Sequence, residues 1–134
     1  MEKVAAPFRE LECDVFLPDC PARKVLSLLA EKWTLLVVHA LSERSYRTAE
    51  LRKRIGGVSE KMLIQALRRL ERHGLVVRTS YPEVPPRVEY ALTPLGLSLS
   101  SVVRELDRWV EANAFEVEGW AQLAALTGSS PPDR

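Results

Sequence analysis

Residues 59–75 read SEKMLIQALRRLERHGL, and the way this stretch divides its charges from its apolar residues decides the fold. Ser59 is a favoured helix cap, Gly74 a favoured stop, and the residues between them are good helix formers. With Glu60 at zero and a turn of 100° per residue, Met62, Leu63, Ala66, Leu67 and Leu70 fall in one apolar sector between about 200° and 340°. Lys61, Gln65, Arg68 and Arg72 fall in a narrow band between about 80° and 140°, with Ile64 beside them at about 40°. The spacing predicts a rod with a buried back and an exposed stripe of cations and one amide.

Working outward, Thr48 is the expected cap of a compact helix, Ala49 to Ile55, with Leu51 and Ile55 one turn apart and facing inward. Gly56-Gly57-Val58 supplies the turn into the quoted helix, so the pair forms a helix-turn-helix. Beyond Gly74, Val76–Ser80 has β-branched strand character, and Arg87–Leu92 resumes the alternation. Pro82, Pro85 and Pro86 between them cannot continue a central strand. A helix-turn-helix followed by a two-stranded hairpin is a winged helix.

Upstream, Pro21 opens a helix capped by Cys20, with Val25, Leu26, Leu28 and Leu29 as its expected buried side. The run from Trp33 to Leu41 is a second, mostly buried helix ending near Ser42; its β-branched residues also permit a strand. Residues 1–18, with Phe8, Leu11, Val15, Phe16 and Leu17 among acids, suggest an arm that needs a surface to pack on. Downstream, Thr93-Pro94 starts a long helix running to about Phe115. Its Leu95, Leu99, Val102, Leu106 and Trp109 recur in steps of four and three, the seam of paired helices, and Val103 and Val110 widen the stripe. One domain has too little core to cover such a helix, so a homodimer joined through these residues is expected. The fold class is mainly α with a small β-hairpin (α+β). It divides into an arm (1–19), a winged helix-turn-helix (20–92), a dimerisation helix and tail (93–127), and a disordered end (128–134).

The 134 residues carry 19 basic and 18 acidic side chains, a balance that says nothing until it is resolved along the chain. Residues 44–72 hold nine bases against three acids, a net of +6, while residues 1–20 and 97–118 are each −3. A basic middle held between acidic flanks fits a polyanion-binding element. The helix stripe is suited to a DNA major groove. Arg and Lys pair with guanine, Gln with adenine, and Ile64 can touch a thymine methyl. Ser59 and the free amides at the helix start can hold a phosphate. A merely solvated face is the competing reading, but only Glu71 lies near the stripe to neutralise it. Arg47, Arg52 and Arg78 are the expected backbone contacts, and Arg87, beside Pro85-Pro86 at the hairpin's far end, suits a minor groove or a phosphate. Among the apolar set, Met62 is also placed at the DNA surface. A winged-helix module that binds protein partners without DNA is the alternative from another class.

Other function classes find little support. The apolar run Trp33–Leu41 is too short to span a bilayer, and the N-terminal MEKVAAPFRELE lacks a signal-peptide core, so a cytoplasmic chain is expected. Cys13 and Cys20 form neither a disulfide framework nor a metal-ligand pattern. His39 and His73 lie apart from any ligand cluster and suit the surface. Trp33 and Trp109 suit core or interface positions. With no glycine-rich phosphate loop and no nucleophile–base pair, neither enzymatic activity nor a cofactor is expected.

The residues Cys20-Pro21, Lys32-Trp33-Thr34-Leu35-Leu36, Glu50-Leu51 and the helix pattern Ser59-x-Lys61-x-Leu63-x-x-x-Leu67-x-x-Leu70-Glu71-x-x-Gly74-Leu75-Val76 resemble the HxlR-type transcriptional regulators. This is a winged helix-turn-helix family related to the MarR group. The likeness continues through Tyr81-Pro-Glu-Val-Pro-Pro-Arg-Val-Glu-Tyr-x-Leu-Thr-Pro-Leu-Gly96, covering roughly residues 20–112. It implies a homodimer on a pseudo-palindromic double-stranded operator, usually as a repressor. Thr48 departs from an often aromatic position, Ile64 from a frequently small polar one, and the tail after 115 lies outside the pattern. Several members carry a redox- or electrophile-sensing thiol where Cys20 stands. Independently, a thiol at a helix N-terminus with Arg23 and Lys24 within one turn should ionise readily. Cys20 is therefore a candidate redox sensor for an oxidant inducer, with Cys13 either a partner across the dimer or incidental. A small-molecule inducer at the dimer junction is compatible, though no ligand signature is present.

Overall fold

The computed structural model describes residues 13–128. Helices α1 (Pro21–Leu29), α2 (Lys32–Glu43), α3 (Thr48–Arg54) and α4 (Glu60–Arg72) precede strands β2 (Val76–Tyr81) and β3 (Arg87–Leu92), and helix α5 (Pro94–Thr127) closes the chain. A short strand β1 (Tyr46–Arg47) lies between α2 and α3. The Trp33–Leu41 run is helical, which settles its two readings.

The hairpin has a third strand. β1 pairs antiparallel with β3, giving the order β1-β3-β2, with Tyr46 opposite Tyr90 and Val76 opposite Leu92. Sequence alone showed Ser45–Arg47 only as an extended connection, because two residues are too few to display an alternation. Tyr46 and Tyr90 are both buried, so the extra strand ties the start of the helix-turn-helix to the wing.

The core is built from the backs of α2, α3 and α4. Leu51, Leu63, Leu67, Leu70, Val37 and Val38 are fully enclosed, and Val103 of α5 joins the same cluster. α1 contributes less than its sequence promised. Leu28 is buried and Leu29 half-buried, but Val25 and Leu26 face outward.

Two glycines fix the junction between wing and long helix. Gly74 has φ +74°, the left-handed turn that ends α4. Gly96 lets the first turn of α5 press on Leu75, whose carbonyl oxygen would lie 2.1 Å from any added Cβ. The Thr93 amide donates to the Leu75 carbonyl at 3.1 Å, and the Thr93 hydroxyl to the Gly74 carbonyl at 2.6 Å. The same hydroxyl caps α5 by accepting from the Gly96 amide at 3.1 Å.

α5 runs well past the expected end near Phe115, for 34 residues to a left-handed Gly128 cap, which is about 51 Å of helix. The segment around Trp120 is therefore continuous with it. No apolar contact announces that extension, since Phe115 is 93% and Leu126 85% exposed. The expectations for an N-terminal arm and a frayed C-terminus fall largely outside the described residues.

Candidate nucleic-acid interface

Ser59 caps α4 as expected, its Oγ accepting from the Met62 amide at 3.1 Å. The buried back of the helix is Leu63, Ala66, Leu67 and Leu70, a narrower sector than the apolar residues suggested. Met62 is 44% exposed, so it belongs with the outward face and not with the core. Ile64 packs partly against the core at the edge of the stripe.

Lys61, Gln65, Arg68 and Arg72 are exposed on the opposite side. Among the described residues none of these three cations is in an ion pair. Arg47, Arg52, Lys53 and Arg78 are likewise exposed without an acidic partner. The +6 segment thus contains a bare subset.

Other cations in the region are occupied, and these partners were missed from sequence. Arg54 binds Glu43 through two contacts, at 2.9 and 2.6 Å, pinning the end of α2 to α3. That guanidinium, with the Tyr46 hydroxyl at 2.9 Å, pulls the Glu43 carboxyl down to about 2. Arg69 pairs with Glu31 and holds α4 against the α1–α2 junction. Arg44 stacks on Tyr46 and lies 3.6 Å from Glu50. Long-range pairs of this kind leave no spacing signal in a sequence.

Arg87 is also engaged. Its guanidinium lies 3.0 Å from Glu83 and 3.4 Å from Glu89, and stacks on Tyr81 with 4.0 Å to the ring centroid. At the end of the hairpin opposite Tyr81, it stiffens the wing and is partly neutralised there. Its place is as expected, but its charge is not free.

The helix-turn-helix opening differs in one detail. The cap of α3 is Arg47 and not Thr48, which is the first helical residue. Glu50 completes the start by accepting the Arg47 amide at 2.8 Å and is held below the usual carboxylate range, first by that bond. His39 is no free surface residue. Its Nδ1 lies 2.6 Å from Asp107 Oδ2, joining α2 to α5. His73 stays at the surface, with Nδ1 donating to the Arg69 carbonyl at 2.6 Å.

Of the expected dimer residues, Val103 is 2% exposed and Leu99 packs partly against the core, so both serve the chain's own interior. Leu95, Val102, Leu106, Trp109 and Val110 remain uncovered. Leu95, Leu99 and Val102, with Val25, Leu28 and Leu29 of α1, border an apolar groove of about 490 Å³.

Cys20 caps α1, its sulfur accepting from the amides of Ala22 at 3.5 Å and Asp14 at 3.2 Å. Its pKa is lowered, first by a hydrogen bond from the Cys13 thiol and then by those amides. One of the basic residues named for that role acts otherwise. Arg23 donates to the carbonyls of Val15 and Phe16, each at 3.2 Å. Among the described residues no single helix is long and apolar enough to cross a membrane.

Comparison with known proteins agrees with this geometry. The model of the HxlR-like helix-turn-helix family matches residues 28–118. The HTH-type transcriptional regulator YtfH of Escherichia coli is 45% identical over 117 residues, 87% of this chain and 93% of that protein. The solved structure of the transcriptional regulator ytfH from Salmonella typhimurium superposes with a TM-score of 0.76 at 44% identity, over 83% of this chain and 99% of that one. The redox regulator HypR in its oxidised form is also similar, with a TM-score of 0.65 at 34% identity over 70% and 97% of the two chains. With a winged helix-turn-helix, a bare cationic face on α4 and transcriptional regulators among its relatives, the chain belongs to the HxlR-like helix-turn-helix family of DNA-binding, MarR-like transcriptional regulators and is not an enzyme.

Proposed function

We propose that the protein is a cytoplasmic homodimeric repressor that reads a pseudo-palindromic operator through α4. Met62, Ile64, Gln65 and Arg68 face base edges, with Lys61 and Ser59 at phosphates beside the helix start. Arg47, Arg52 and Arg78 hold the backbone, and Arg87 reaches the minor groove next to the wing. The carrying observation is the sorting of charge. In a segment where Arg44, Arg54, Arg69 and Arg87 are paired with carboxylates, the cations of the α4 stripe are left bare. A surface serving only solubility gains nothing from that separation. A wet polyanion supplies the missing counter-charge, and counterion release drives its binding.

The dimer is assigned to Leu95, Val102, Leu106, Trp109 and Val110 of α5 with the adjoining face of α1. Val25, Leu26 and these residues are all exposed, and large apolar patches on a protein surface mark interaction sites. Two copies so joined present two α4 helices to half-sites about one helical turn, 34 Å, apart. Cys20 is assigned as the oxidant-responsive group. Its lowered pKa and its place at the foot of α1, beside the dimer face, support this, as does the likeness to the redox regulator HypR. A small-molecule inducer has a natural seat in the cavity of about 310 Å³ bordered by His39, Arg54, Asp107 and Val110, between the helix-turn-helix and α5.

Selection of bound duplexes from a random pool tests the reading, run with reduced protein and again after oxidation. An inverted repeat with half-sites one turn apart, weakened by oxidant, is the expected result. Failure to enrich any sequence above the starting pool would instead favour a winged-helix module for protein partners.

A further inference from the structure

The turn before α1 holds both cysteines of the chain against each other. The Leu17 amide donates to the Asp14 carbonyl at 3.0 Å and the Cys20 amide to the Leu17 carbonyl at 3.2 Å, folding residues 14–20 back on themselves. Arg23 reaches from α1 to clamp the Val15 and Phe16 carbonyls. With the Asp14 amide on the Cys20 sulfur at 3.2 Å, the fold-back carries Cys13, the adjoining residue, to the same thiol, and Cys13 is the first cause of the lowered Cys20 pKa. Cys20 is buried and Cys13 exposed, and both are reduced.

The pair is chemically unequal. The influence of each thiol on the other lowers the pKa of Cys20 and raises that of Cys13, so Cys20 is the readier of the two to give up its proton. A thiolate is the nucleophile in thiol oxidation, and a second thiol within reach resolves the product. Bonding would bring the two sulfurs to about 2.05 Å.

We propose that Cys13 and Cys20 of the same chain are a peroxide-sensing pair that closes to an intrachain disulfide, Cys20 as the attacking thiol and Cys13 as the resolving one. The Cys20 thiolate attacks one oxygen of hydrogen peroxide. The O–O bond breaks, Cys20 becomes a sulfenic acid, and the departing hydroxide takes the Cys13 proton and leaves as water. The Cys13 thiolate so formed attacks the Cys20 sulfur. The S–O bond breaks, and the second hydroxide takes a proton from solvent. Two thiols and one peroxide give one disulfide and two waters. The small oxidant suits a buried sulfur that bulkier electrophiles reach poorly.

The consequence for regulation rests on the oxidant-responsive DNA-binding reading above. Closing the pair rebuilds the cap of α1 and fixes the turn carrying exposed Val15, Phe16 and Leu17. α1 lies at the proposed subunit contact, so the change is transmitted to the spacing of the two recognition helices.

The test uses the full-length protein, oxidised with stoichiometric hydrogen peroxide and digested without reductant by a protease that cleaves before aspartate. Cuts before Asp14 and Asp19 place the cysteines on separate peptides. The expected product is those two peptides linked. A mixture of isotopically labelled and unlabelled chains should yield no hybrid linkage. Cys13→Ser should halt at a Cys20 sulfenic acid that dimedone traps, and Cys20→Ser should give neither product. Hybrid linked peptides, or wild-type protein that accumulates sulfenic acid without linkage, overturn the pair. Operator binding in the same samples separates the two claims. Linkage with unchanged binding overturns the regulatory role and leaves the chemistry standing. Loss of binding without linkage overturns the pair and leaves an oxidant response.

Discussion

The division of cations into bare and paired sets predicts how DNA affinity responds to salt. Arg47, Arg52, Lys53, Lys61 and Arg78 carry no acidic partner among the described residues. If each meets a phosphate, a dimer makes about ten contacts, and the slope of log affinity against log salt is about −9. Raising salt from about 50 to 200 mM then weakens binding by about 10⁵-fold. Arg78→Ala removes one contact per subunit and should flatten the slope by about 1.8. Arg87→Ala should change it less, because Arg87 must be drawn from Glu83 and Glu89, at 3.0 and 3.4 Å, before it can meet a phosphate. Fluorescence anisotropy on one selected duplex across a salt series provides the slopes. An Arg78→Ala slope equal to wild type, or an Arg87→Ala effect larger than that of Arg78→Ala, would refute the reasoning.

Three further outcomes follow from the packing. Gly96→Ala places a methyl 2.1 Å from the Leu75 carbonyl. Overpacking of this kind costs about 1–3 kcal/mol, a fall in Tm of about 4–12 °C by circular dichroism; an unchanged Tm contradicts the close approach. Glu43 is held at about 2 in the folded protein against 4.5 ordinarily. Its folded pKa is depressed, so its contribution is full above about 4.5 and disappears as pH falls through about 2. The Tm gap between wild type and Glu43→Gln should accordingly close across that window, and a gap constant down to pH 2 would remove the assignment to the carboxylate. Leu106→Asp should yield monomers by sedimentation velocity with the far-ultraviolet spectrum retained, whereas a dimer mass would move the subunit contact elsewhere.

The elements with strong local signals were legible in the sequence. Ser59 and Gly74 bracket α4, Thr93-Pro94 starts α5, and the three prolines mark the wing, each through backbone chemistry confined to a few residues. Features that depend on distant partners were not. β1 exists because Tyr46 meets Tyr90, and Val103 leaves the outer stripe because the core of the same chain reaches it. Arg87 lies at the hairpin's end as expected, and Glu83 and Glu89, though near it in sequence, meet its guanidinium only through the turn of the hairpin. Met62 shows the limit of apolar sorting, since a helical wheel gives direction but not the edge of the neighbouring surface. Cys20 was identified as ionisable for a partly mistaken reason, because its influence comes from Cys13 and two amides while Arg23 is occupied with carbonyls.

That α4 presents its exposed face to base edges is tested most directly by pairing residue changes with base changes. Gln65→Ala and Arg68→Ala would each be measured against the selected duplex and against duplexes substituted symmetrically at every half-site position. The account predicts that each variant loses discrimination at its own one or two positions, by about 1–3 kcal/mol per bidentate contact, while the other positions keep theirs. Discrimination that survives intact at every position in both variants would contradict it.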